Sequence, residues 1–512
     1  MVSSLRRLDD DVLLQIYEEL LPDRCLRTLS LTCKWVRESV KPVLFRSAIQ
    51  QSCRITWAEF LPRHLWPYVQ HLTFFGHWSI SDSLRKRSNT IPYPLHQAVS
   101  EMPHLTSISI AYVGPSGVPW TAVATIISQP RLRSFAIMDS LNREEPPDTV
   151  SFTAAPLTCY RQRMGQFRRN RYSVSNSTFL CLVLDQPQVN QSLETLEVPS
   201  EIIPLELIPE FRWPRMKRLL LCGEDWRHEI PRTAAELFGQ MPALQELVLK
   251  LGHRGGTPLL RLCPSNWTRP LPWPELKTLT LTYPDPSDPL YSLLPDTLRS
   301  LALRCWPRHY NAYFIESWSA AQGYGWTSPI LGSRSLDSIL RRCQLSSLHT
   351  LEIEYMADAL DIDPLRTISQ AFPNLTSLTI YRYMPNDTDD VPVLEIGQAL
   401  KALSRLTYLY LHLDFPDVPN PFDYDHLPIF QVEEDDARML AVFKQAAYSI
   451  ARSLGPSIAI VSHLMQGPVT NEWKPFRVEG IGDERTVWFD QNALVRCGLT
   501  GVDESTPPTH QM

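Results

Sequence analysis

Trp213-Pro214-Arg215-Met216-Lys217-Arg218-Leu219-Leu220-Leu221 is followed by Met241-Pro242-Ala243-Leu244-Gln245-Glu246-Leu247-Val248-Leu249, and then by Trp273-Pro274-Glu275-Leu276-Lys277-Thr278-Leu279-Thr280-Leu281. Each stretch is a bulky residue, a proline and the pattern L-x-x-L-x-L, with Met, Ile, Val or Phe allowed at the Leu positions. Proline cannot continue a helix and pushes the residue before it into extended backbone. Each stretch therefore predicts a helix end, a stop and a short strand. Apolar residues two apart share one face of a strand, so the pattern predicts a strand with one buried face.

The same triplet recurs outward from this centre. Upstream it falls at Val69-Leu72-Phe74, Leu105-Ile108-Ile110, Leu132-Phe135-Ile137 and Leu193-Leu196-Val198. Downstream it falls at Leu298-Leu301-Leu303, Leu348-Leu351-Ile353, Leu375-Leu378-Ile380 and Leu406-Leu409-Leu411. Six of the eleven copies follow a Pro-x step, and five of those six carry Met, Trp or Phe before the proline. The triplet alone is a weak signal in an apolar chain; the punctuation makes it a repeat. It also accounts for part of a proline excess, 44 against 19 glycines, where usage is ordinarily about 5% proline and about 7% glycine. Helical spacing precedes several copies: Leu95, Ala98, Val99 and Met102; Ala234, Leu237, Phe238 and Met241; Leu336, Ile339, Leu340 and Cys343.

This array resembles the leucine-rich-repeat family over roughly residues 60–430. The resemblance implies an α/β fold, a curved solenoid with parallel strands concave and helices convex. The Asn or Cys that the family places after the strand is mostly absent, which points to the divergent intracellular type. An ordinary α/β domain with parallel strands would carry the same triplets. Two intervals are long, 61 and 50 residues, and predict insertions near 139–190 and 304–334. The first holds the basic run 161–171, with five arginines and no acid, and Phe179-Leu180-Cys181-Leu182-Val183-Leu184, read as an extra strand. The basic run suits a phosphate or an acidic partner, or an ordinary solvated loop.

The first 50 residues differ. Asp9, Asp10 and Asp11 suit a helix start, followed by an apolar stripe of Val12, Leu13, Ile16, Tyr17 and Leu20. A second stripe runs through Leu26, Leu29, Cys33, Val36 and Val40, with Trp35 alongside, and Pro42 is expected to open a third helix. A module this small cannot bury that much apolar surface alone. It resembles the F-box, through Leu8-Asp9-Asp10-Asp11-Val12-Leu13, Leu29-Ser30-Leu31-Thr32-Cys33-Lys34-Trp35 and Phe45-Arg46; Asp9 stands where the family usually has proline. A helical cap on the repeat array is the plainer reading. After residue 430, a helix with Leu440, Phe443, Ala447, Ile450 and Leu454, then strands at 457–462 and 486–489, predict a C-terminal cap. The expected organisation is thus F-box 1–50, solenoid 51–430, capping segment 431–502 and a disordered tail 503–512.

Composition excludes several classes. The net charge of -6, from 49 basic and 55 acidic residues, does not suit a dedicated nucleic-acid binder. No apolar window is long enough for a membrane span. The first residues hold no run of secretory-signal length, so an intracellular location, cytoplasmic and/or nuclear, is expected. The ten cysteines are scattered without a C-x-x-C pair and read as reduced. No nucleophile elbow, phosphate loop, dinucleotide fingerprint or zinc spacing is present. No catalytic residue, metal or cofactor is expected, and the chain reads as a binding protein rather than an enzyme.

Together the two resemblances imply a substrate receptor of a cullin-based ubiquitin ligase, docked on the Skp adaptor and holding a protein target on its repeats. A repeat scaffold without a ubiquitin role is the alternative. The adaptor-binding residues expected are Leu8, Val12, Leu13, Ile16, Leu29, Cys33 and Trp35, with Trp35 placed either there or in the module's own core. The target-binding residues expected are Tyr381, Tyr408, Tyr410 and His412, with Arg218, Lys250 and Arg304 on the same face, fitting a target with an apolar anchor and an acidic flank.

Overall fold

The computed structural model describes residues 8–20, 25–51, 61–75, 93–111, 118, 120–137, 153–162, 173–224, 226, 231–254, 259–304, 326–327, 329–385, 390–416, 418, 429–465, 471–480, 484–491 and 495–497. The chain has a mixed α/β architecture and divides into two compact units, Met1–Leu207 with Phe211–Met216, and Ile208–Glu210 with Lys217–Met512.

The first unit opens with three helices, α1 (Asp10–Glu19), α2 (Cys25–Leu29) and α3 (Lys34–Leu44). The second apolar stripe is therefore two helices, not one. It breaks at Ser30–Thr32, where Ser30 and Thr32 hydroxyls donate to the Arg27 and Leu29 carbonyls, and the Cys33 sulfur then caps α3 by accepting from Val36 N. Pro42 does not open a third helix. It lies inside α3, close to its end, where its ring ends the helix within a few residues. Six parallel strands follow: β1 (Ser47–Gln51), β2 (His71–Phe75), β3 (Ser107–Ala111), β4 (Ser134–Ile137), β5 (Cys159–Gln162) and β6 (Thr195–Pro199). They pair in chain order, with Leu72, Ile108, Phe135, Tyr160 and Leu196 in one row across the ladder. Helices α4 (Tyr93–Glu101), α5 (Trp120–Ile127), α6 (Ser173–Leu184) and α7 (Pro187–Ser192) lie between strands in sequence.

The second unit continues the pattern with β7 (Arg218–Glu224), β8 (Glu246–Arg254), β9 (Thr278–Leu281) and β10 (Ser300–Leu303). After the two-residue β11 (Trp326–Thr327), which pairs antiparallel with the end of β8, come β12 (Thr350–Met356), β13 (Ser377–Tyr383), β14 (Tyr408–Leu413) and β15 (Ile460–Met465). Here α8 (Ala234–Leu237), α9 (Ser333–Arg342), α10 (Asp363–Ala371), α11 (Val393–Ala399) and α12 (Ile429–Ser453) lie between strands in sequence, while β9 is reached and left without an α-helix among the described residues. Finally β16 (Asn471–Glu479) turns back antiparallel on β15, and β17 (Thr486–Phe489) and β18 (Val495–Cys497) both pair with β16.

One backbone detail repeats at every step of the second ladder. The carbonyl just before a strand accepts two N–H groups from the next unit: Lys217 O from Gln245 and Glu246, Gln245 O from Lys277 and Thr278, and so on to Thr407 O from Ala459 and Ile460. Strand starts are thus saturated with hydrogen bonds at one fixed register. All the triplet residues are buried.

Three of the parallel strands lie outside the eleven triplets, and each has a polar residue at the third inward position: Gln50 in β1, Gln162 in β5 and His463 in β15. All three are buried. Gln162 accepts from the Tyr160 hydroxyl at 2.9 Å, and Gln50 accepts from Leu61 N at 3.1 Å. The long 61-residue interval therefore contains a complete repeat as well as an insertion. Within it, residues 179–184 are not a strand. They form the end of α6, with Phe179, Leu180, Val183 and Leu184 buried, because i, i+1, i+4, i+5 spacing fills a helix face. Of the basic run, Arg161 and Gln162 lie in β5 and 163–171 fall outside the described residues, as do 305–325 of the second insertion and the tail 503–512. The later C-terminal strand is found at 486–489, and the earlier one is shifted to Ile460–Met465.

Candidate protein-interaction surfaces

The N-terminal helices build their own core from Leu13, Tyr17, Leu26, Val36, Val40 and Val43. Tyr17 and Ser39 share a hydroxyl hydrogen bond at 2.9 Å, and Arg46 reaches Glu18 at 2.6 Å. The stripe on α1 is really two faces. Leu13 and Tyr17 point into this core, Leu13 being 3% exposed, while Val12, 43% exposed, and the half-buried Ile16 lie one position round. Leu13 is therefore not an adaptor-facing residue: its helical phase puts it inside the module. Leu29, Cys33 and Trp35 are half-buried and pack against the same core. Leu8 is exposed, and so is Leu31, at 71% the most exposed large apolar side chain among the described residues. Leu31 was missed in the sequence because it lies in the turn after α2, outside any helical period. The exposed apolar set of the module is thus Leu8, Val12 and Leu31.

On the second unit, the side of the strands opposite the triplets carries three rows in register. The first holds Arg218, Glu246, Thr278, Ser300, Thr350, Ser377 and Tyr408. Two residues further on come Val248, Thr280, Ala302, Glu352, Thr379, Tyr410 and Ser462. The third row contains Lys250 on β8, Arg304 just after β10, then Glu354, Tyr381 and His412.

The first row is open: Tyr408 is 42% exposed. Arg218 lies half-buried beside Glu246, at 3.5 Å. The third row is closed. Arg304, Glu354, Tyr381 and His412 are all buried, so Tyr381, His412 and Arg304 are not available to a target in this structure. Their outward phase is as expected, but neighbours cover them. Trp473 of β16 meets Tyr381 at 5.9 Å and Tyr410 at 5.2 Å between ring centroids, and Tyr383, Leu464, Ile330 and Met356 complete the cluster. Arg304 is hydrogen-bonded to Glu352 and to the Tyr381 hydroxyl. His412 lies 3.1 Å from Asp414, 4.9 Å from the ring of Tyr383. That contact with His412 helps hold the Asp414 carboxyl below its usual pKa despite its burial. Lys250 is half-buried, and burial lowers its pKa. What stays accessible from the expected set is Tyr408, with Tyr410, Arg218 and Lys250 half-buried.

The open row does not stop at Tyr408. Register carries it to Ile460 on β15, Arg477 on β16 and Trp488 on β17. Arg477 and Trp488 are exposed; the Arg477 guanidinium grips Asp490 at 2.7 Å and lies 5.6 Å from the Trp488 ring centre. Sequence periodicity did not join them to Tyr408, because antiparallel return strands carry no triplet. Among the described residues no group of three His, Cys, Asp or Glu side chains is placed to hold a metal ion, and no helix is long and apolar enough to cross a membrane. No protein-family model matches the chain, and no curated protein sequence is significantly similar to it.

Proposed function

We propose that the protein is a substrate receptor of a cullin-based ubiquitin ligase, docking on a Skp-type adaptor through its F-box-like N-terminal helices and holding a protein target on a leucine-rich-repeat-like strand face. The observation that carries the reading is the exposed set Leu8, Val12 and Leu31 on a three-helix module whose own core is complete without them. An adaptor contact would bury apolar side chains of this kind, which the module's own core leaves exposed. The strand face offers Tyr408 and Tyr410 to a target, and Tyr is enriched at binding hot spots. In this role the chain catalyses nothing; it raises the effective concentration of a target lysine near the ubiquitin-carrying enzyme. An intracellular site of action, in cytoplasm or nucleus, follows from that role.

The test is co-purification of the full chain with the Skp adaptor. The parent should bind, and Val12→Asp combined with Leu31→Asp should abolish binding with the circular dichroism and melting temperature of the parent, because neither side chain belongs to the module core. A parent that fails to bind the adaptor would leave the repeat face as a scaffold without a ubiquitin role.

A further inference from the structure

Among the described residues, one edge of β17 has no strand partner. There β17 pairs only with β16, in the register Phe476↔Phe489, Arg477↔Trp488, Val478↔Val487 and Glu479↔Thr486, while β18 pairs with the other end of β16. Asp490 N donates to Pro475 O at 3.0 Å. In an antiparallel pair, residues alternate between exchanging hydrogen bonds with the neighbour and turning away from it. Thr486, Trp488 and Asp490 therefore direct their backbone groups toward β16, while Val487 and Phe489 direct theirs outward. Among the described residues, no hydrogen bond satisfies the Val487 or Phe489 backbone groups beyond the sheet.

Natural edges are usually defended by proline, by charge or by a bulge. Thr486-Val487-Trp488-Phe489 itself holds no proline and no charged residue, and the register on β16 is interrupted only beyond it, between Phe476↔Phe489 and Trp473↔Val495. Its side chains suit pairing instead: β-branched and aromatic residues favour strands, and Trp488 is 41% exposed.

We propose that β17 is an association edge that pairs antiparallel with β17 of a second copy of this chain. The edge is self-complementary about Trp488. A two-fold axis there sets Val487 of one copy opposite Phe489 of the second, and Phe489 opposite Val487. Each pair exchanges two N–H···O=C bonds, so the four outward backbone groups of each copy are all satisfied. Trp488 then faces its own equivalent at the close, non-hydrogen-bonded position, where Cα atoms lie about 4.5 Å apart, and aromatic cross-strand pairs are among the favourable ones. Thr486 comes opposite Asp490, so no like charges are opposed. Such an isologous contact closes on itself and produces a dimer rather than a fibre. The self-complementarity of hydrogen bonds and rings favours a second copy over an unrelated extended segment, which would satisfy the backbone but not pair Trp488. The proposal does not depend on the ubiquitin-ligase reading.

The experiment is sedimentation velocity of the full chain from about 1 to about 100 μM, with the parent, Val487→Pro and Trp488→Lys. Proline at 487 removes an N–H that points away from β16, so it is compatible with an edge strand; because the Val487 side chain is buried, this variant should keep the circular dichroism of the parent with a lowered melting temperature, whereas Trp488→Lys at an exposed position should leave both close to the parent. The parent should pass from monomer to dimer across this range, and both variants should stay monomeric. Hydrogen exchange at the Val487 and Phe489 amides should slow as parent concentration rises. A parent that is monomeric throughout, or a Val487→Pro variant that dimerises like the parent, overturns the proposal; in the first case the edge is left to an extended target segment or to none.

Discussion

Arg304, just after β10, donates to the Tyr381 hydroxyl at 2.9 Å from two strands away, and its guanidinium carbon lies 4.2 Å from the centre of the same ring. Both side chains are on the strand face opposite the apolar core, yet both are buried. The pair ties β10, β12 and β13 together across the face, through Glu352 as well as Tyr381. Tyr381→Phe keeps the ring under the cation and removes one charge-assisted hydrogen bond, which costs about 1.5–3 kcal/mol. Arg304→Ala leaves the Tyr381 hydroxyl and Glu352 without that donor and should cost more, roughly 3–5 kcal/mol. Urea denaturation of both variants measures the order, and equal stability of the two would contradict the tie.

Leu13 and Val12 are neighbours with opposite fates. Leu13→Asp buries a carboxylate among Tyr17, Leu26 and Val40 and should destabilise the helical module by several kcal/mol. Val12→Asp should change stability by less than about 0.5 kcal/mol, as exposed substitutions usually do. Limited proteolysis between residues 8 and 45, compared for the two variants, reads the difference directly. A Leu13→Asp module as resistant as the parent would show that Leu13 is not in its core.

Tyr408 is the accessible tyrosine of the strand face, whereas Tyr410 also packs on Trp473. Tyr408→Ala should therefore weaken target capture by 2 kcal/mol or more, about thirtyfold, if Tyr408 is a hot spot, while leaving the melting temperature close to that of the parent. Tyr408→Ala with Tyr410→Ala should remove capture but lower the melting temperature as well. Calorimetry on a target recovered with the parent chain separates the two contributions.

His463 is fully enclosed by Phe415, Phe443 and Phe476, with the Phe443 ring stacked on it at 5.0 Å. Burial pushes its pKa down from 6.5 to about 3. Its folded-state pKa lies below the unfolded one, so below about pH 6.5 the unfolded chain takes up a proton that the folded chain refuses. The stabilisation from this neutral ring is complete above that pH and is lost as pH falls toward 3. By pH 5 the loss should be about 2 kcal/mol. His463→Phe removes the titration, so the difference in stability between variant and parent should grow in the variant's favour from pH 7 to pH 5. A constant difference across that range would rule out the buried neutral histidine.

The repeat itself was legible in the chain. A strand with one buried face writes an apolar residue at every second position, and proline before it ends the preceding helix; both are local effects, so the eleven triplets from Val69 to Leu411 all became strands. The three parallel strands that lack the triplet lack it because tertiary packing tolerated a polar residue where the pattern demanded an apolar one. Gln162 bonds to Tyr160, Gln50 takes a backbone N–H, and His463 gains a cage of phenylalanines. Phe179-Leu180-Cys181-Leu182-Val183-Leu184 was ambiguous for the opposite reason: a short continuous apolar run has no period, and only its neighbours made it a helix. The same limit applies to the surfaces. Which residues leave the core face is set by strand and helix phase, and phase placed Val12 beside Leu13 and lined up Glu354, Tyr381 and His412. Whether an outward side chain meets solvent is decided by what comes to lie over it. Trp473, about 90 residues downstream of Tyr381, closes one row of the strand face, while Arg477 and Trp488 extend another. Those contacts join residues far apart in the chain through the return of antiparallel strands, and no local pattern encodes them.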